Sequence, residues 1–233
     1  MMRVAPVSET ALIVYLGHRI DPQVTEQVGR LARFVKTDFP DALIEVIPSY
    51  TSLFIQFHPR KTSYVALEQA MLQYQSVLAQ PASEHGSQSG KLITLPVYYH
   101  PDTGPDLAAV AQACGKSVEE VVTLHSQPSY TVCAIGFAPG FAFLASVDPA
   151  IAMPRHAEPR LKVPAGSVGI ANAQTAVYPA DSPGGWQIIG NCPQPLFSPN
   201  REPMTPFVVG DKVKFEPIDR DRFLALGGTL WPH

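Results

Sequence analysis

Charged side chains are scarce in this 233-residue sequence, at 16% against about a quarter in ordinary soluble domains. A surface so poor in charge leaves room for an interface with another chain. The net charge of −3 gives no basic footprint for nucleic acid or an anionic membrane. Cysteine is scarce too. Cys114, Cys133 and Cys192 stand far apart with no CxxC pair, which excludes a zinc ribbon or thioredoxin-type centre and fits the reduced thiols of a cytosol. No apolar run is long enough to span a bilayer, and the run over residues 11–16 is too short for a signal-peptide core. The expectation is a soluble, cytoplasmic protein without nucleic-acid or membrane partners.

Several self-contained chemistries lack their motifs. There is no G-x-x-x-x-G-K-[ST]: Gly115-Lys116-Ser117 has Val110 where the first glycine belongs. The dinucleotide turn G-x-G-x-x-G and the metalloprotease H-E-x-x-H are missing. Ser167 sits in Ala-Gly-Ser-Val-Gly, which is not a nucleophile elbow. A stand-alone nucleotide hydrolase, dehydrogenase, metalloprotease or serine esterase is therefore disfavoured.

What is present divides the chain by composition. Residues 1–80 predict a small α+β domain in the order β-β-α-β-β-α. Asp21-Pro22 opens one helix, with Asp as N-cap and Pro at the first position. Val24, Val28, Leu31 and Val35 then recur at helical spacing, as do Tyr64, Leu67, Met71, Tyr74 and Leu78 later. Runs at 4–7, 10–16, 42–47 and 52–57 read as strands. Residues 81–90, polar and small, read as a linker. Residues 91–233 hold most of the 24 prolines and predict short strands at 92–99, 130–135, 167–170, 175–178, 187–189 and 212–217. Such strands between Gly/Pro turns point to an all-β closed or nearly closed barrel. A helical pair at 106–113 and 118–126 interrupts it, the second opened by a Ser117/Glu120 capping box. Glu119 and Glu120, with no Lys or Arg, exclude that helix as a DNA reader.

The chemistry-bearing residues cluster between 124 and 196. Pro154-Arg155 and Pro159-Arg160 place two arginines after φ-fixing prolines, five positions apart. Two guanidinium groups so placed suit a clamp on carboxylate or phosphate, or a bridge between parts of the fold. Gly136, Pro139 and Gly140 shape a tight turn between Phe137 and Phe141. Its amides are candidates for an oxyanion or anion site, and a barrel corner is the other reading. Ser182, Gly184, Gly185 and Trp186 form a permissive turn beside a large aromatic, fit to wall a pocket or to fill a core. Gln174 and Tyr178 fall on one face of a strand and suit a small polar amide. His125 is a candidate general base, or a hydrogen-bonded core residue near a helix end.

Taken together, Ile47 to Leu53, Gly104-Pro105-Asp106-Leu107, His125-Ser126, Gly-Phe-x-Pro-Gly-Phe at 136–141, the two Pro-Arg pairs, Pro-Ala-Gly-Ser-Val-Gly-Ile at 164–170 and Ser-Pro-Gly-Gly-Trp at 182–186 resemble the KipI family, that of the 5-oxoprolinase B-type subunit. One departure stands out: Asn191-Cys192 occupy the place where that family usually runs Arg-Thr. The resemblance implies a cyclophilin-like barrel after the α+β domain. It implies a non-autonomous component of 5-oxoprolinase, working with a C-type barrel protein and an A-type protein of the same complex. It also implies ATP, with Mg2+ held by the assembled complex, opening 5-oxo-L-proline to L-glutamate. His125, Arg155 and Arg160 would be catalytic there, and the turn residues would bind a small cyclic amide. Two other functions stay open: an inhibitor of a sensor histidine kinase, and the carboxyltransferase half of a urea- or amide-carboxylating enzyme.

Overall fold

The computed structural model describes residues 2–78 and 90–231. The expected linker, apart from Gly90, lies outside the described residues. Two compact units divide the chain: Met1–Lys91 with Val208–Asp211, and Leu92–Phe207 with Lys212–His233.

The first unit contains β1 (Arg3–Ser8), β2 (Ala11–Tyr15), α1 (Pro22–Asp38), β3 (Leu43–Ser49), β4 (Ser52–Phe57) and α2 (Tyr64–Leu78). Its strands pair antiparallel in the order β1-β2-β4-β3. Period-two alternation sends Leu12, Val14, Leu53 and Ile55 to one face. Helical spacing sends Val28, Leu31, Val35, Leu67 and Met71 to meet them, all fully buried. Asp21 caps α1, accepting from the Gln23 amide at 2.8 Å, which fixes where the helix starts. Phe34 stacks on Tyr74 at 5.4 Å, and the Tyr74 hydroxyl donates to Asp38. These contacts tie α2 to α1.

The second unit contains β5 (Leu92–Val97), α3 (Leu107–Ala113), α4 (Val118–Ser126), β6 (Ser129–Ile135), β7 (Ala142–Ala145), β8 (Arg160–Val163), β9 (Ser167–Ala171), β10 (Gln174–Val177), β11 (Ser182–Gly184), β12 (Gln187–Asn191), β13 (Lys212–Pro217) and α5 (Arg220–Ala225). Pairing runs β5-β13-β6-β7-β10-β9-β12, antiparallel throughout except for β5 with β13. β8 and β11 form a separate two-stranded ribbon. The expectation is an all-β closed or nearly closed barrel interrupted by a helical pair. The pair is present as α3 and α4, α5 adds a third helix, and no ladder among the described residues closes the path. Its two ends meet at one bridge, where Tyr98 N donates to Asn191 O at 2.9 Å and Asn191 N to Tyr98 O at 3.0 Å. The fold is mixed α/β with a mostly antiparallel sheet. β9 and β12 are buried along their whole length, so they anchor the loops that follow them. The Ser117/Glu120 capping box is present at α4.

Candidate functional site

The two Pro-Arg segments are far from regular, yet both are pinned to one stretch of chain, 184–187. Gln187 Nε2 donates to Pro154 O at 2.9 Å, and His156 N donates to Gly185 O at 2.7 Å. Asn172 N adds a bond to Met153 O at 2.6 Å. Arg160 begins β8 and pairs with Gly184 of β11. Backbone and amide ties thus hold Arg155 and Arg160 beside Trp186. The Arg155 guanidinium lies 5.7 Å from the Trp186 ring centre, and Arg160 lies 5.8 Å from that of Trp231, both within cation–π range.

The two arginines do not form a symmetrical clamp. Arg160 Nη2 donates to Asp106 Oδ1 at 2.6 Å, while Arg155 is exposed and rests on Trp186. Asp106 belongs to the Gly104-Pro105-Asp106-Leu107 stretch of the resemblance but is not among the expected site residues. It is 5% exposed, and its Oδ2 accepts the Ile188 amide at 2.7 Å. His156 Nε2 lies 3.2 Å from the same oxygen, close enough to pair as an ion but outside hydrogen-bond geometry. Gly104 makes this position possible. A Cβ there would stand 2.3 Å from the Ile189 carbonyl carbon, so only glycine lets the turn before α3 lie against β12.

Tyr178 packs under the site, 2% exposed, with Phe141 edge-on at 5.4 Å and Trp186 in the same cluster. Burial pushes its phenol up from the ordinary value, while Arg155, the Trp186 amide and Arg160 pull it back. A Cβ on Gly184 would sit 2.3 Å from the Tyr178 oxygen. That glycine therefore makes room for the phenol. Gly185 has ordinary room, its nearest neighbour 3.5 Å away.

The other expected site residues fare differently. In the 136–141 turn, Gly136 N donates to Phe141 O and Phe141 N to Ala138 O, and Pro139 has no N–H. The amides of Phe137, Ala138 and Gly140 are the ones these bonds leave. Phe137 and Gly140 take φ of 74° and 81°, and Phe137 is 68% exposed. Gln174 shares its strand face with Tyr178, but about 13 Å of extended chain separates them. Ser182 pairs with Val163, and its hydroxyl is buried without a partner among the described residues.

Of the two readings of His125, general base or hydrogen-bonded core residue, the geometry fits the second. It is fully buried, with Nδ1 2.7 Å from the Tyr99 hydroxyl and Nε2 2.8 Å from the Thr175 hydroxyl. Phe215 stacks on it at 4.6 Å. Burial holds its pKa down at about 3, so it is neutral, sealed and structural. Asn191 and Cys192 wall a separate pocket of about 210 Å³ that also touches Tyr178, Gly166 and Leu196. The Asn191 amide donates to Ala165 O at 3.0 Å, and burial pushes the Cys192 thiol up to about 12.

Among the described residues no three His, Cys, Asp or Glu side chains group to hold a metal ion, and no helix is long and apolar enough to cross a membrane. Known proteins share this arrangement of chain. Residues 2–207 match the family described as carboxyltransferase domain, subdomain C and D. The chain is 37% identical to the B-type subunit of 5-oxoprolinase from Bacillus subtilis (strain 168), covering 96% of this chain and 95% of that one. It is 38% identical to the B-type subunit of 5-oxoprolinase from Escherichia coli O157:H7, covering 91% and 94%. Among solved structures, TTHA0988 superposes with a TM-score of 0.77 at 32% identity; the match covers 94% of this chain and only 40% of that longer one. The urea amidolyase of K. lactis superposes at 0.70 with 18% identity, over 96% of this chain and 15% of its own, a likeness of fold.

Proposed function

The chain belongs to the carboxyltransferase subdomain C and D family, and from that premise we propose that it is one component of an ATP-dependent 5-oxoprolinase, inactive without its partners. The observation that carries the reading is the meeting of Arg160 and His156 at the buried Asp106 carboxylate, with Arg160 over Trp231 and the exposed Arg155 laid over Trp186. The names of the relatives at 37% and 38% identity support it.

A five-membered lactam resists water; ATP would supply a phosphoryl group to its amide oxygen, so that water adds to the activated carbon, the C–N bond breaks with nitrogen leaving as the amine, and a further water frees phosphate. This chain's part is binding and orientation. Arg155, exposed and supported on a flat indole, offers a planar fork to a carboxylate or phosphoryl oxygen. The amides of Phe137, Ala138 and Gly140 are candidates to face developing negative charge. Nothing grouped among the described residues of this chain would hold Mg2+, so ATP with Mg2+ belongs, in this reading, to a site completed by the C-type barrel protein and the A-type protein of the complex. The cyclophilin-like character of the second unit and a cytoplasmic setting are parts of the same proposal.

The test is reconstitution. The chain alone is expected to release no ADP in response to 5-oxoproline, and the three-component mixture is expected to release ADP and glutamate together. Turnover by the chain alone, or none by a correctly assembled mixture, overturns the reading. The second outcome passes the lead to the carboxyltransferase reading, which the family match supports, with the kinase-inhibitor reading behind it.

A further inference from the structure

Asp106 is the one buried carboxylate of the site, and its contacts all lead to groups of that site or to the strand beside it. One oxygen takes Arg160 Nη2 at 2.6 Å; the other takes the Ile188 amide at 2.7 Å and stands 3.2 Å from His156 Nε2. The Ile188 bond locks the carboxylate to β12, a strand with no exposed residue. The Arg160 bond then locks the guanidinium to the carboxylate. Arg160 Nη1 is left buried and, among the described residues, without a hydrogen-bond partner. The Arg160 side chain as a whole is 27% open to solvent. We propose that Asp106 is a positioning residue: it presets Arg160, with His156 drawn to the same charge, so that the open side of the guanidinium is held toward the bound anion. This rests on the anion-binding reading of the site.

A purely structural Asp106 would merely fasten the turn before α3 to β12. Asp106→Asn separates the two roles, since the amide oxygen still accepts from Ile188 while the negative charge toward Arg160 is gone. In the assembled complex Asp106→Asn is expected to raise KM for the cyclic amide, or lower kcat/KM, by about tenfold to a hundredfold, the range expected from losing a charge-assisted hydrogen bond. The melting temperature should move little. Arg160→Lys should give a similar loss, and the double variant no more than the worse single one, because both act through one guanidinium. A second measurement does not need the reaction. Arg160 lies over Trp231, so in a Trp186→Phe background Asp106→Asn should shift the remaining tryptophan emission as Arg160→Lys does. Multiplicative kinetic losses, a falling melting temperature with unchanged kcat/KM, or emission that ignores Asp106→Asn overturns the proposal. If the wild-type complex opens no cyclic amide, the proposed function fails, and the emission arm still decides whether Asp106 places Arg160.

Discussion

Two histidine neighbourhoods in the second unit are built from similar parts and serve opposite ends. His125 is closed in by Tyr99, Tyr130, Phe215 and Thr175, with both ring nitrogens within hydrogen-bond distance of a hydroxyl. His156 sits beside the carboxylate that also takes Arg160, with about a third of its side chain open to solvent. The difference lies in what surrounds the ring. Aromatic walls suppress the charged imidazole, whereas the Asp106 cluster gathers charge and keeps one side of it wet. A histidine near a helix end carries no mark of which it will be.

The widest way to break the contrast is to empty the sealed side. His125→Ala should cost about 3 kcal/mol or more, because it leaves a cavity and strands two buried hydroxyls. Urea melts measure it. The loss should appear in stability and not in the specific activity of the folded complex; a stable variant with lost turnover would return His125 to the chemistry. The same ring makes stability pH-dependent. Its folded pKa, about 3, lies below the unfolded value near 6.5, so the unfolded chain binds the extra proton first. Its contribution is whole above about pH 6.5 and falls by roughly 1.4 kcal/mol per pH unit on the way down toward pH 3. The urea midpoint should drop over that window, and His125→Gln should flatten this part of the drop.

On the open side the effects should be kinetic. Arg155→Lys keeps the charge and loses the fork. It should cut turnover of the assembled complex by about tenfold or more, on the scale of a charge-assisted bond, with an unchanged melting temperature. Smallest is the pair Gly184→Ala and Gly185→Ala. The first drives a methyl into the Tyr178 hydroxyl and should lower the melting temperature by several degrees. The second has room and should stay within about 0.5 kcal/mol of wild type. Equal effects would mean that Tyr178 is not held where its hydroxyl meets Gly184.

The sequence made some of this legible and hid the rest for physical reasons. α1 and α2 could be read because their apolar positions recur at a period that only a helix satisfies, and Asp21-Pro22 marks a start. β13 was legible as a compact run of alternating residues. β7, β8, β11 and α5 went unread; β9, β10 and β12 are about as short and were read, so shortness alone does not separate the two groups. Within the site, Arg155, Arg160 and Trp186 were visible through their prolines and glycines, which advertise fixed backbone. Asp106 was read as the start of a helix and as part of a stretch of the resemblance, never as a site residue. Its partner Arg160 is 54 positions away, and no local pattern links a carboxylate to a guanidinium across that distance. Gly184 was visible but its contact with Tyr178 was not, since a glycine required by a phenol looks the same as one required by a ligand.

The bridge between Tyr98 and Asn191 is made wholly of main-chain atoms. Any residue that tolerates extended backbone can supply it, so the joint between the ends of the strand path places no demand on the side chain at 191. That side chain instead reaches Ala165 and lines a pocket. A change of residue there, such as the asparagine found in this chain, alters the wall of a cavity while the seam that holds the wall stays sewn.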